Sequence, residues 1–262
     1  MGVINCSPNS FHAPVQNYDE ALSQAEAMIQ AGAAILDVGG EATNPFVNIE
    51  CEAPSVQAEI DRVALVIDAI KERFDVLVSV DTSRPEVMLA ANADMINDQR
   101  ALQLPGALEA AIKLDVPVCL MHFFDKRVPG STSLQVMLMQ IKNDLMAFVK
   151  RCELAGIARN KLIIDPGFGQ GNYGKSCDEN FYLLSHLDQL VALGLPVLSG
   201  WSRKSMIGDV LGVTADKRLY GSITAAVISA QKGASILRVH DVAATMDAIK
   251  VLRKQCEMEL FE

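Results

Sequence analysis

"IIDPGFGQGNYGKS", residues Ile163–Ser176, admits two readings that lead to different molecules. Gly169–Ser176 fits the phosphate-cradling pattern G-x-x-x-x-G-K-[ST] at every position, and its first six residues fit G-x-G-x-x-G. Either pattern binds a nucleotide only where a strand runs straight into it and a helix starts from it. Here the strand "KLIID" stops at Asp165, and Pro166, Gly167 and Phe168 intervene before the pattern begins. The next expected helix cap, Asp178, lies beyond Ser176 and Cys177. The pattern therefore falls inside a long glycine-rich loop, and nucleotide binding through it is not expected. Lys175 is expected to be solvated, with contact to a phosphate as the alternative.

Outward from this stretch, the same unit recurs. Apolar runs stand at "MGVIN" (1–5), "AILDVGG" (34–40), "VLVSVD" (76–81), "DMIND" (94–98), "VPVCLMH" (116–122), "KLIIDPG" (161–167), "LPVLSG" (195–200) and "SILRVHD" (235–241). The segments between them carry helical periodicity. In 18–33 one stripe is made by Ala21, Leu22, Ala25, Met28 and Ile29, and Gly32 sits where a helix stops. In 55–74 the stripe is Ile60, Val63, Leu65, Val66 and Ile70, with Ser55 as cap. The methionine-rich "LQVMLMQIKNDLMAFV" reads as a core-facing helix. The small-residue stretch 217–234 reads as tight helix packing or a dimer face. Eight strand-then-helix units with continuous apolar strands predict parallel pairing. Their economical closure is a (β/α)8 TIM barrel, one domain over residues 1–262, with an open doubly wound sheet as the rival.

Composition removes several function classes. The chain has 262 residues and a formal charge of −9, which argues against a nucleic-acid-binding surface. It has no run of eighteen apolar residues, so no membrane span is expected. The first residues lack the charged start and long apolar stretch of a signal peptide. Six scattered cysteines form no C-x-x-C pair, which indicates reduced thiols and a cytoplasmic setting.

The strand ends carry the chemistry. They are Asn5, Asp37, Asp81, Asn97-Asp98, Met121-His122, Asp165, Ser202-Arg203-Lys204 and Arg238-Val239-His240-Asp241. In a parallel barrel these converge on one face. Asp81, Asn97 and Asp165 offer acceptors and an amide donor to a flat, nitrogen-rich heterocycle. Asn5, Arg238 and His240 suit an anion, with a carbonyl oxygen left for a hard ion such as Mg²⁺. Lys204 and Ser205 open a helix whose N–H groups face a carboxylate or phosphate. His122 reads as a structural hydrogen-bonder, and His12 and His186 as surface residues.

The stretches "GVINCSPNSF", "ILDVGGEATNP", "VSVDTSRPEV", "MINDQRAL", "PVCLMH", "LIIDPGFG", "GWSRKSMIG" and "ILRVHDV" together resemble the dihydropteroate synthase family. The resemblance implies an Mg²⁺-dependent enzyme that joins a pterin-methyl pyrophosphate to p-aminobenzoate, working as a homodimer through late helices. It implies that Asn5 ligates Mg²⁺, that Asp81, Asn97, Asp165 and Lys204 hold the pterin with Met121 packed against it, and that Arg238, Val239 and His240 bind pyrophosphate. Thr43 would contact substrate, while Phe11 and Ser205 would border the aminobenzoate. The sequence departs from the family at its loops. Asn9 replaces an acid, Asn44 an arginine and Ala42 a serine. "FGQGNYGK" stands for FGFGK, and the small hairpin before the first strand is missing. These changes leave a diverged or inactive pterin-binding paralogue open. A pterin-dependent methyltransferase would have no use for the anion site at Arg238-Val239-His240.

Overall fold

Every apolar run forms a parallel strand. A computed structural model describes residues 1–6, 18–40, 54–124 and 127–259. The strands are β1 (Gly2–Asn5), β2 (Ile35–Gly39), β3 (Leu77–Asp81), β4 (Met95–Asp98), β5 (Val118–Met121), β6 (Leu162–Asp165), β7 (Leu198–Ser199) and β8 (Ile236–Leu237). β1 to β6 pair in chain order, and β7 pairs with β8. Two seams join these sheets. At one, Ile164 bridges to Val197 and its N–H donates to the Pro196 carbonyl at 3.0 Å. At the other, Gly2 bridges to Val239, whose carbonyl accepts from the Val3 N–H at 3.1 Å. The cylinder is thus closed, which excludes the open doubly wound sheet, where two edges would stay unpaired.

Alternation along the strands divides the apolar residues into two layers. Ile96, Val118, Leu120, Leu162 and Ile164 face outward, into the main core beneath the helices. Met95, Cys119, Ile163 and Leu198, with Ile236 packed against them, form a separate cluster inside the cylinder. That inner cluster fills the lower barrel with side chains, and the polar residues of the next turn up the strands have a floor to stand on.

The helices are α1 (Tyr18–Gln30), α2 (Val56–Arg73), α3 (Pro85–Ala90), α4 (Ala107–Leu114), α5 (Leu134–Leu154), α6 (Cys177–Ser185), α7 (Asp188–Val191), α8 (Ser205–Leu211), α9 (Leu219–Gln231) and α10 (Val242–Glu259). Ser55 caps α2 as expected, accepting from the Ala58 N–H at 3.2 Å. Leu65 does not belong to the buried stripe of α2: it is 64% exposed, and Ile67 takes its place. The methionine-rich α5 buries Met137 but leaves Met139 exposed, so only one face of it is core. No described helix is long and apolar enough to cross a membrane.

The cap of α6 differs from the sequence expectation. Ser176, not Asp178, is the N-cap: its hydroxyl accepts from the Glu179 N–H, and the Glu179 carboxylate accepts from the Ser176 N–H. This reciprocal pair satisfies two orphan donors at once, which a cap at Asp178 would not do. Ser176→Ala is expected to lower the unfolding free energy by about 1 kcal/mol in urea titration, with the fold retained.

Candidate active site

The strand register assembles the polar ends. Asp81 of β3 lies beside Asn97 of β4, Met121 of β5 beside Asp165 of β6, and Asn5 of β1 beside Gly39 of β2. Arg238, just past β8, reaches across the mouth. Its Nε donates to Asp37 Oδ2 at 2.6 Å, and a terminal nitrogen donates to Asp81 Oδ2 at 2.6 Å. Burial alone would lower the pKa of this guanidinium, but Asp37 and Asp81 outweigh it and hold the group firmly charged. Asp37 is fully buried and also accepts from Asn97 Nδ2 at 3.1 Å. Because a carboxylate only accepts, it turns the Asn97 amide nitrogen toward itself. Gln99 Nε2 donates to both oxygens of Asp81, at 2.9 and 3.1 Å.

The loop after β6 forms the other wall. The Gly167 N–H donates to Asp165 Oδ1 at 2.7 Å. Gly167 has φ +69°, and a Cβ there would lie 1.9 Å from the His122 carbonyl oxygen, so no other residue fits this turn. Lys204 donates to the Phe168 carbonyl, and burial lowers its pKa to about 8 against the pull of Asp165. Burial also raises the pKa of Asp165, with Lys204 opposing. Ser205 Oγ donates to Gln170 Oε1 at 2.5 Å, and Gln170 Nε2 donates to Asp209 at 2.8 Å. Gln170 therefore ties this loop to α8.

Lys175 is not solvated. It is 1% exposed, and its ammonium donates to the Gly167 carbonyl at 2.9 Å and meets His122 Nδ1 at 3.4 Å. The lysine of the phosphate-loop pattern thus points into the protein and braces its own loop. With Lys175 as donor, His122 carries its proton on Nε2, which faces Asp144 at 3.2 Å. Burial lowers the His122 pKa to about 4, consistent with a structural hydrogen-bonder.

Several expected residues have other partners. Arg203 pairs with Asp241 at 2.6 Å and donates to the carbonyls of Ala215 and Asp216, so it braces two loops. The Val239 N–H donates to the Met1 carbonyl at 3.0 Å; this residue is spent on closing the barrel and has no N–H for an anion. His240 meets Ser202 through both its backbone N–H and Nδ1. Arg238, expected at an anion, is ion-paired with two carboxylates of its own chain. Phe11 and Thr43 lie outside the described residues, as do Asn9, Ala42 and Asn44. The structure adds Gln99 and Tyr173 to the rim. Tyr173 joins it through its hydroxyl, which donates to Gln99 Oε1 at 3.2 Å.

Residues 1–240 match the family described as pterin binding enzyme. The dihydropteroate synthase of Haemophilus influenzae is 46% identical, with 96% of this chain and 91% of that protein aligned. A solved dihydropteroate synthase from Coxiella burnetii, in complex with pteroic acid, is 58% identical with a TM-score of 0.91, covering 96% of this chain and 90% of that one. The Yersinia pestis dihydropteroate synthase, solved with a sulfonamide drug, is 43% identical with a TM-score of 0.91, covering 98% and 93%.

Burial lowers the Lys175 pKa from its usual 10.5 to about 7. Between those values the folded chain holds fewer protons here than the unfolded chain, so folding stability rises with pH, and the penalty is complete below pH 7. Urea midpoints measured from pH 7 to 9 are expected to rise for the native chain. Lys175→Met should flatten that rise, and an unchanged slope would contradict the assignment.

Proposed function

The chain belongs to the pterin-binding enzyme family, and from that premise we propose how its barrel mouth performs the dihydropteroate synthase reaction. The enzyme condenses 6-hydroxymethyl-7,8-dihydropterin pyrophosphate with p-aminobenzoate, giving 7,8-dihydropteroate and pyrophosphate in folate biosynthesis. The observation that carries the residue assignment is the convergence of Asp81, Asn97, Asp165, Lys204 and Arg238 on one rim.

Asp165 and Asp81 accept from the N–H edge of the pterin, and Asn97 offers its amide. Lys204, charged at neutral pH, donates to the ring carbonyl. Met121, buried and in register with Asp165, packs against the ring. When the C–O bond to pyrophosphate breaks, negative charge grows on the leaving group and positive charge on the pterin methylene. The two carboxylates favour the cation, and donors from Arg238 and His240 favour the anion. A guanidinium has five N–H donors, so Arg238 can face pyrophosphate while still bound to Asp37. The neutral arylamine then attacks carbon and loses a proton, a step that needs no strong base. Ser205, at the start of α8, borders the arylamine.

Asn5 stands at the end of β1, and its amide oxygen is a hard donor suited to Mg²⁺. Among the described residues no cluster of three or more His, Cys, Asp or Glu could hold a metal. Asn5 would hold the ion through that amide oxygen. Bound there, Mg²⁺ supplies charge neutralisation on the departing pyrophosphate. We further propose a cytoplasmic homodimer. Free thiols at Cys6, Cys119, Cys152, Cys177 and Cys256 accord with the compartment, and exposed Tyr220 and Val251 on α9 and α10 accord with a late-helix interface.

Purified protein given the pterin pyrophosphate is expected to form dihydropteroate only when p-aminobenzoate and Mg²⁺ are both present. Asp165→Ala is expected to weaken pterin binding by about one to two orders of magnitude in calorimetry, because it strips charge-assisted hydrogen bonds from the buried ring. Undiminished pterin binding in that variant would remove Asp165 from the site.

A further inference from the structure

Tyr173 is a loop residue, yet it is only 8% exposed. It ends the short 3-10 turn Gly171–Tyr173, in the stretch where this loop departs from the family pattern. Its ring is pressed against Gly169, where a Cβ would lie 2.6 Å from the ring edge. The Lys204 ammonium sits 4.9 Å from the ring centre. The hydroxyl reaches Gln99, and Gln99 in turn covers both oxygens of Asp81. One side chain therefore spans the mouth from Lys204 to the residue that covers Asp81. These are the two groups that the proposed reading places on a bound pterin, and the inference rests on that reading.

Gln99 lies on both carboxylate oxygens of Asp81 and the phenol lies on Lys204, so a flat ring gains the full face of either group only by displacing them. We propose that Tyr173 and Gln99 form a gate that competes with the pterin for Asp81 and Lys204. Tyr173 is the leaf and Gln99 the latch. The ligand binds the fraction of molecules in which the latch is open, so apparent affinity falls by that fraction. The gate selects for ligands that can replace both Gln99 bonds, which an apolar aromatic of similar size cannot do.

The test is stopped-flow binding of 6-hydroxymethyl-7,8-dihydropterin pyrophosphate to the native chain, to Tyr173→Phe and to Gln99→Leu. Tyr173→Phe loses one latch bond and is expected to speed association about fivefold; Gln99→Leu loses all three and should speed it at least as much, in both cases with dissociation unchanged and Kd lowered to match. The double variant should gain no more than Gln99→Leu alone, because both act on the same latch. Unchanged or slower association would overturn the gate. So would faster dissociation with weaker binding, which would make Tyr173 a wall of the bound site. Failure of the native chain and all variants to bind the pterin would overturn the underlying reading as well.

Discussion

A guanidinium taken out of water must find carboxylates or unfold its surroundings. Arg238 is held between Asp37 of β2 and Asp81 of β3, 201 and 157 residues away in sequence. This three-residue bridge joins the last strand to the second and third across the mouth, and it draws in Asn97 through Asp37. The backbone seam at Val239 closes the cylinder, but the ion pairs decide how its rim is furnished. Removing either acid would leave a buried charge short of a partner, so the three residues behave as one unit in stability.

Eight strands were legible because a strand buried on both faces reads as an unbroken apolar run, and in a parallel barrel every strand has that property. The rim was legible because each run stops at a polar residue, and closure brings those stops together. Asp37 was harder to assign. It marks the end of an apolar run, but only the register shows that it faces inward and serves Arg238. Leu65 fitted the spacing of α2 but not its direction. Asp178 competes with Ser176 as a cap by residue type alone, whereas Glu179, three residues past Ser176, carries the capping-box signal that marks Ser176.

Lys175 and Tyr173 mark where reading by motif gives out. Both lie in a glycine-rich loop, where local spacing says little about which way a side chain turns. Lys175 fitted a phosphate pattern and instead holds up its own loop by the Gly167 carbonyl. Tyr173 had no pattern at all, yet an aromatic among glycines in a loop longer than its family's was a usable sign. Long-range partners such as Gln99 exist only once the barrel has closed.

The loop after β6 is pinned at both ends. At its start Gly167 fits against the His122 carbonyl, and at its finish the capping box of Ser176 and Glu179 anchors α6. With its ends fixed, the span between can lengthen or shorten for little extra closure entropy. Such a segment behaves as an exchangeable cassette. Descendants of this chain could trade it for another length, changing which molecules are admitted while the strands beneath inherit no disturbance.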